Sequence, residues 1–194
     1  MAKLVPEVPK SGPASERMMF ERLGRELPDD WIVLHSLELT HHPHKMWGET
    51  DILVISTKGV FVIEVKGGSL SCNNGEWKIA KLSGEEIYTS EESPWGQAGT
   101  AAAGIRKKLY DDERFRGCLV GWGVVLPYET ITIESEEIVQ EVLWDRRHRH
   151  ENLNIYIGRI ARYWHERHNE TREYEPRSLN KNNIAEIRQL LRPD

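Results

Sequence analysis

The chain has 194 residues, 39% hydrophobic and 29% charged, with seven tryptophans and a net charge of −5. That is enough apolar material for one domain with a real core and excludes a disordered chain, while the negative balance excludes a global positive field, so nucleic-acid contact requires a local basic patch or metal ions. No apolar run reaches the roughly 18 to 20 residues of a membrane span, residues 1–12 lack the apolar middle of a signal peptide, and Cys72 and Cys118 have no metal-ligand spacing, so the expected setting is cytoplasmic, with reduced thiols and no membrane.

Residues 1–14, with Pro6, Pro9 and Pro13, read as a flexible tail. Ser15 can cap a helix in which Met19, Phe20, Leu23 and Leu27 recur at helical spacing before Pro28. "WIVLHSLEL" is a first strand; "DILVIS" and "GVFVIEVK" are a second and third, joined around Thr57, Lys58 and Gly59 by a turn short enough to require an antiparallel hairpin. "SLSC", "EWKIA" and "EEIYTS" follow as smaller strands. Ser93-Pro94 opens a helix to about Tyr110, and "CLVGWGVVLP" is another buried strand. Helix, three strands, helix and strand in that order describe an α/β fold with a mixed central sheet flanked by helices. Beyond Pro127, residues 135–144, 155–168 and 178–192 read as helical, a C-terminal extension of residues 128–194 packed on the core.

Three charged residues sit in the apolar hairpin. Alternation puts Val60, Val62, Glu64 and Lys66 on one face. Closing the turn on Ser56 and Gly59 sets Asp51 opposite Glu64; closing it on Thr57 and Val60 sets Asp51 opposite Lys66. Both registers keep the three residues on one face, and only a one-residue slip separates them. Two carboxylates about 5 Å apart at Cβ repel unless a cation lies between them, and Mg²⁺ takes such oxygen ligands together with a backbone carbonyl and water. Lys66 can orient or deprotonate a water there, or balance charge on a phosphate. The plainer alternative is a solvent-exposed strand end. Glu16 shares the core-facing side of the first helix with Met19, Phe20 and Leu23, unless it serves the first turn alone; Gln97 faces the sheet from the second helix, where its amide needs a partner.

The blocks "GPASERMMFERLGRELPDDWIVLH", "GETDILVISTKGVFVIEVKGG" and "SPWGQA" resemble the motifs of the nuclease-related domain, NERD, a branch of the PD-(D/E)XK nuclease superfamily, over about residues 12–126. The resemblance implies a nuclease-like core at residues 15–127. It makes Glu16 the helix-one acid, Asp51 the strand-two metal ligand, Glu64 and Lys66 the E-x-K pair, and Gln97 the helix-two glutamine. The usual glycine before the helix-one acid is Ser15 here. The implied activity is DNA phosphodiester hydrolysis with Mg²⁺ or Mn²⁺ held by Asp51, Glu64 and the Val65 carbonyl. A helicase domain or subunit is the expected partner besides DNA, and DNA repair or defence against foreign DNA the expected setting. A DNA-binding or regulatory module keeping the fold without turnover is the alternative.

Arg146, Arg147 and Arg149, in the run "RRHRH" beside Trp144, are candidates to grip a phosphate backbone, against the ordinary reading of a solvated charge run. His41, His42 and His44 read as a solvated loop, since Pro43 interrupts the run and zinc needs three or four supported ligands. No phosphate-binding glycine-rich loop is present, so ATP hydrolysis is not expected.

Overall fold

The structure, a computed structural model, describes residues 1–9, 12–39, 48–81, 83, 86–171 and 175–193. His41, His42 and His44 lie outside the described residues. In chain order the elements are β1 (Lys3–Val5), α1 (Ala14–Glu26), β2 (Ile32–Leu39), β3 (Gly48–Ser56), β4 (Gly59–Val65), β5 (Ser69–Asn73), β6 (Glu76–Ala80) and β7 (Glu86–Ser90). They continue with α2 (Pro94–Tyr110), β8 (Val120–Leu126), β9 (Leu143–Asp145), α3 (Leu153–Thr171) and α4 (Lys181–Leu191).

The main sheet runs β1-β2-β3-β4-β8-β9, and β5-β6-β7 form a small antiparallel sheet. β2, β3 and β4 pair antiparallel, whereas β8 is parallel to β4 and β9 parallel to β8, so this is the expected mixed α/β fold. Every residue of β4 is buried, as the apolar run Val60–Ile63 requires at the centre of a covered sheet, and Glu64 is buried with them. The faces are assigned by β8: Gly121 and Gly123 lie under Trp164 and Tyr156 of α3, while Trp122 between them meets Gly99 of α2. Helices therefore cover both faces, with α1 beside α3, where the Glu26 carboxylate accepts the Leu153 N–H at 2.6 Å. Tyr156 anchors α3 by donating its hydroxyl to the Val142 carbonyl at 2.8 Å.

The β3–β4 turn closes on Ser56 opposite Gly59, which selects the first of the two registers. Gly59 has φ +143°, and a Cβ there would stand 2.5 Å from the Leu119 carbonyl oxygen, so glycine is required where the turn meets β8.

Three expectations need correction. Residues 3–5 are not part of a flexible tail: they pair with β2, the Lys3 N–H donates to the Trp31 carbonyl at 2.9 Å, and Leu4 packs where Gly24 leaves room. Ser15 is not the cap of α1; Pro13 holds that position, and Ser15 is buried with its hydroxyl against Gly67. Residues 135–144 do not form a helix. A 3-10 turn over Gln140–Val142 leads into β9, because Leu143 and Trp144 are buried by pairing with β8. The region after Pro127 thus continues the main sheet through β9 and covers it with α3.

Candidate active site

The site forms where the central hairpin opens. Registered pairs between β3 and β4 run from Ser56–Gly59 to Ile52–Ile63, and the next position sets Asp51 opposite Glu64. Here the strands part. The Val65 N–H, which an unbroken ladder would direct to the β3 backbone, donates instead to Asp51 Oδ2 at 2.8 Å. On its other side Asp51 faces Ser36, whose φ of 49° is left-handed and interrupts β2 at the same level. Arg192, just beyond α4, holds that kink by donating to the carbonyls of His35 and Ser36 at 2.9 and 2.5 Å.

Alternate residues of β4 bond to β8: Val60 N–H donates to the Leu119 carbonyl and Lys66 N–H to the Val125 carbonyl. Val65 therefore turns its N–H and carbonyl towards β3, the side on which Asp51 lies. Glu64 is buried, and the Lys66 ammonium stands 2.5 Å from its Oε1. The Lys66 ammonium also lies 5.6 Å from the centroid of the Tyr88 ring, contributed by the small sheet.

Glu16 reaches the same cluster from the start of α1. Its side chain is 12% exposed and its Oε2 is 3.8 Å from His35 Nε2. The contact of Ser15 with Gly67 presses the first turn of α1 onto the chain just past Lys66. Serine in place of glycine at that position is accommodated because Gly67 has no side chain.

The charge balance follows from this crowding. Burial, then the Glu64 carboxylate and Glu16, hold the Asp51 carboxyl well above its ordinary range, against the opposing effects of Lys66 and the Val65 N–H. For Lys66 burial disfavours the charge, but Glu64, Asp51 and Tyr88 outweigh it and raise the ammonium above its usual value. Lys66 is thus a fixed cation. Asp51, its carboxyl pushed up by burial and by two further acids, belongs to an oxygen-rich cluster of the kind that a hard divalent cation relieves. Among the described residues no group of three or more His, Cys, Asp or Glu is placed so that it could by itself hold a metal ion. The oxygen donors that would be available to such an ion are the Asp51 and Glu64 carboxylates and the Val65 carbonyl.

Gln97 stands in the first turn of α2, the helix that packs on β4 and β8. Its amide donates to the Glu92 carbonyl at 3.2 Å, beside the Ser93 cap that accepts the Gly96 N–H, so it secures the start of α2. The basic run divides. Arg147 is committed to the fully buried Asp145, with Nη2 2.8 Å from Oδ2. Burial opposes the Asp145 charge, but bonds from Arg147 and the Ile131 N–H keep its carboxyl below the ordinary range. Arg149 bonds to His150, whereas Arg146 has no side-chain partner among the described residues. Because β4, β8 and β9 are parallel, this run leaves the sheet at the same edge as Lys66, two strands or about 10 Å away.

Sequence reasoning missed His35, Tyr88 and Tyr128. A histidine inside an otherwise apolar strand was the available signal for His35. Tyr88 is 38% and Tyr128 39% exposed, and Tyr128 lies beside Gly67, so both rings border the cluster while open to solvent. Nothing local distinguishes them from ordinary strand-end tyrosines.

The family model of the nuclease-related domain, NERD, matches residues 11–133. No curated protein and no solved structure matches the chain. No described helix is long and apolar enough to cross a membrane. The match covers well over half of the chain and includes Glu16, Asp51, Glu64 and Lys66, and on that basis the protein belongs to the nuclease-related domain family, consistent with the PD-(D/E)XK nuclease superfamily.

Proposed function

We propose that the protein is a metal-dependent nuclease that hydrolyses DNA phosphodiester bonds. The observation that carries this reading is Asp51 opposite Glu64, at the point where β3 and β4 part, with the Lys66 ammonium on Glu64. Asp51, Glu64 and the Val65 carbonyl hold the ion, and a bound Mg²⁺ or Mn²⁺ supplies Lewis-acid stabilisation of phosphate charge. Lys66, with its ammonium at Glu64, orients the attacking water or sets positive charge beside the phosphate as negative charge builds in the transition state. Glu16, backed by His35, adds negative charge beside Asp51 and supports binding of the ion. Arg146 and Arg149, at the same sheet edge, serve the phosphate backbone; Arg147 holds their turn in place. The family resemblance supports work beside a helicase domain or subunit in DNA repair or defence against foreign DNA, and two unpaired cysteines support a reducing, cytoplasmic setting.

The test is digestion of linear and circular duplex DNA, single-stranded DNA and RNA by purified protein, with Mg²⁺, with Mn²⁺ and with chelator. DNA cleavage should require metal and vanish in Glu64→Gln. DNA binding without cleavage under every metal condition would replace this reading with that of a binding module.

A further inference from the structure

A pocket lies at the opposite end of the sheet. The β3–β4 turn, the start of β8, one face of α3 and the segment 176–178 enclose an open pocket of about 560 Å³. Its far wall is fixed by backbone bonds, from the Arg177 N–H to the Gly117 carbonyl at 3.2 Å and from the Leu179 N–H to the Thr57 carbonyl at 3.0 Å. Ile155, Gly158, Arg162 and His165 recur at helical spacing along the lining face of α3. Gly158 leaves room for the Lys58 ammonium.

The lining is one-sided in charge. Lys58, Arg162 and Arg177 all line the pocket, no Asp or Glu lines it, and none of the three cations is paired with an acid among the described residues. His165 also faces it, held by Glu175 at 3.1 Å. In a chain of net charge −5, three exposed cations that line one pocket, with no counter-ion among the described residues, suit a ligand that brings its own negative charge. Leu119, Ile155, Ala161 and Pro176 form the apolar part of the lining, and Ile155 is 61% exposed. Guanidinium groups suit phosphate oxygens, and the volume suits a small molecule more than a duplex.

We propose that this pocket binds a nucleotide, with its phosphates on Lys58, Arg162 and Arg177 and its apolar ring against Leu119, Ile155 and Pro176. The eight residues from Lys58 to Lys66 span roughly 25 Å in extended chain, so the pocket is distinct from the carboxylate cluster. The proposed binding is without hydrolysis: among the described residues no carboxylate lines the pocket, and the sequence has no glycine-rich phosphate loop.

The experiment is equilibrium binding to the full chain without divalent metal, a condition in which the carboxylate cluster repels phosphate. The probes are fluorescent adenosine 5′-triphosphate, with adenosine, inorganic pyrophosphate and a short single-stranded oligonucleotide as competitors. The triphosphate should bind in a salt-dependent way, pyrophosphate should displace it, and adenosine should not. Arg162→Glu and Arg177→Glu together should weaken binding at least about tenfold, and each alone, or Lys58→Ala, by less, because each removes a charge-assisted contact. Unfolding temperature and metal-dependent cleavage should stay unchanged in these surface variants. Absence of triphosphate binding, binding that survives the double reversal, or displacement by adenosine as effective as by pyrophosphate overturns the proposal. So does tight oligonucleotide binding that the triphosphate cannot displace, which assigns the pocket to a nucleic-acid strand. None of these readings depends on the chain being an active nuclease.

Discussion

The Lys66 ammonium rests 2.5 Å from Glu64 Oε1, two positions along the same face of one chain segment, and Asp51 across the hairpin is its second counter-ion. This pairing raises the Lys66 ammonium above its usual value and occupies the carboxylate proposed as a metal ligand. On that proposal a divalent cation competes with the ammonium for Glu64, which makes the site's parts separable by mutation.

Glu64→Gln should abolish metal-dependent cleavage and also destabilise the metal-free protein by about 1–3 kcal/mol, because a buried ion pair loses one member. Relief of repulsion from Asp51 offsets only part of that cost. Urea unfolding in chelator checks the stability; a more stable variant would show that the repulsion outweighs the Lys66 pair.

Asp51→Asn should do the reverse and stabilise the metal-free chain by about 1 kcal/mol near neutral pH, a rise of about 2–4 °C in unfolding temperature. The folded state holds the Asp51 proton more tightly than the unfolded state, whose value is near 3.8. Its stabilising contribution is therefore full below about pH 4 and is lost as pH rises through the folded-state value. Unfolding measured with chelator from about pH 4 to 8 should show the variant's advantage growing with pH. An advantage independent of pH would place Asp51 in an ordinary ionised state.

Lys66→Ala should lower the cleavage rate by about 10²- to 10³-fold, the scale of one preorganised charged donor at a transition state. Mn²⁺ affinity should rise in the same variant, since the competing ammonium is gone. Calorimetric titration separates the two effects, and weakened Mn²⁺ binding would make Lys66 a structural support of the site.

Arg146→Ala and Arg147→Ala should differ although the residues are adjacent. Loss of Arg146 should weaken DNA binding and reduce its salt dependence by about one counter-ion, with stability unchanged. Loss of Arg147 should cost about 2–4 kcal/mol of stability, because Asp145 is fully buried and loses its cation. Filter binding across salt and thermal unfolding, run on both variants, distinguish them.

Tyr88→Ala should raise the KM for single-stranded DNA by about 5- to 100-fold with kcat little changed, as expected when one base loses a stacking partner of about 1–3 kcal/mol. A fall in kcat at constant KM would instead tie the ring to the positioning of Lys66, over which it lies.

Much of this was legible in the sequence. Strand parity alone places Asp51, Glu64 and Lys66 on one face, and the helical spacing from Glu16 to Leu23 places that acid on the covered side of α1. Ser93-Pro94 marks the start of α2 for a local reason, a capping hydroxyl and a residue with no N–H to satisfy. The same local logic failed at residues 135–144, where apolar spacing mimics a helix until Leu143 and Trp144 find the edge of β8. The expected partner of the Gln97 amide is local, the Glu92 carbonyl.

The sequence by itself determined the periodicities, and with them the order of strands and helices, the shared face of the hairpin acids and the family motifs. Tertiary structure alone decided the rest, because each remaining feature depends on groups distant along the chain. The Ser56–Gly59 closure sets Asp51 against Glu64, the parting of β3 from β4 frees the Val65 N–H for that carboxylate, and Ser15 against Gly67 delivers Glu16 beside His35. Burial of Asp145 consumes Arg147 and leaves Arg146 without a side-chain partner among the described residues. The cationic pocket collects Lys58, Leu119, Arg162 and Arg177 from four separate segments, so no stretch of sequence contains it.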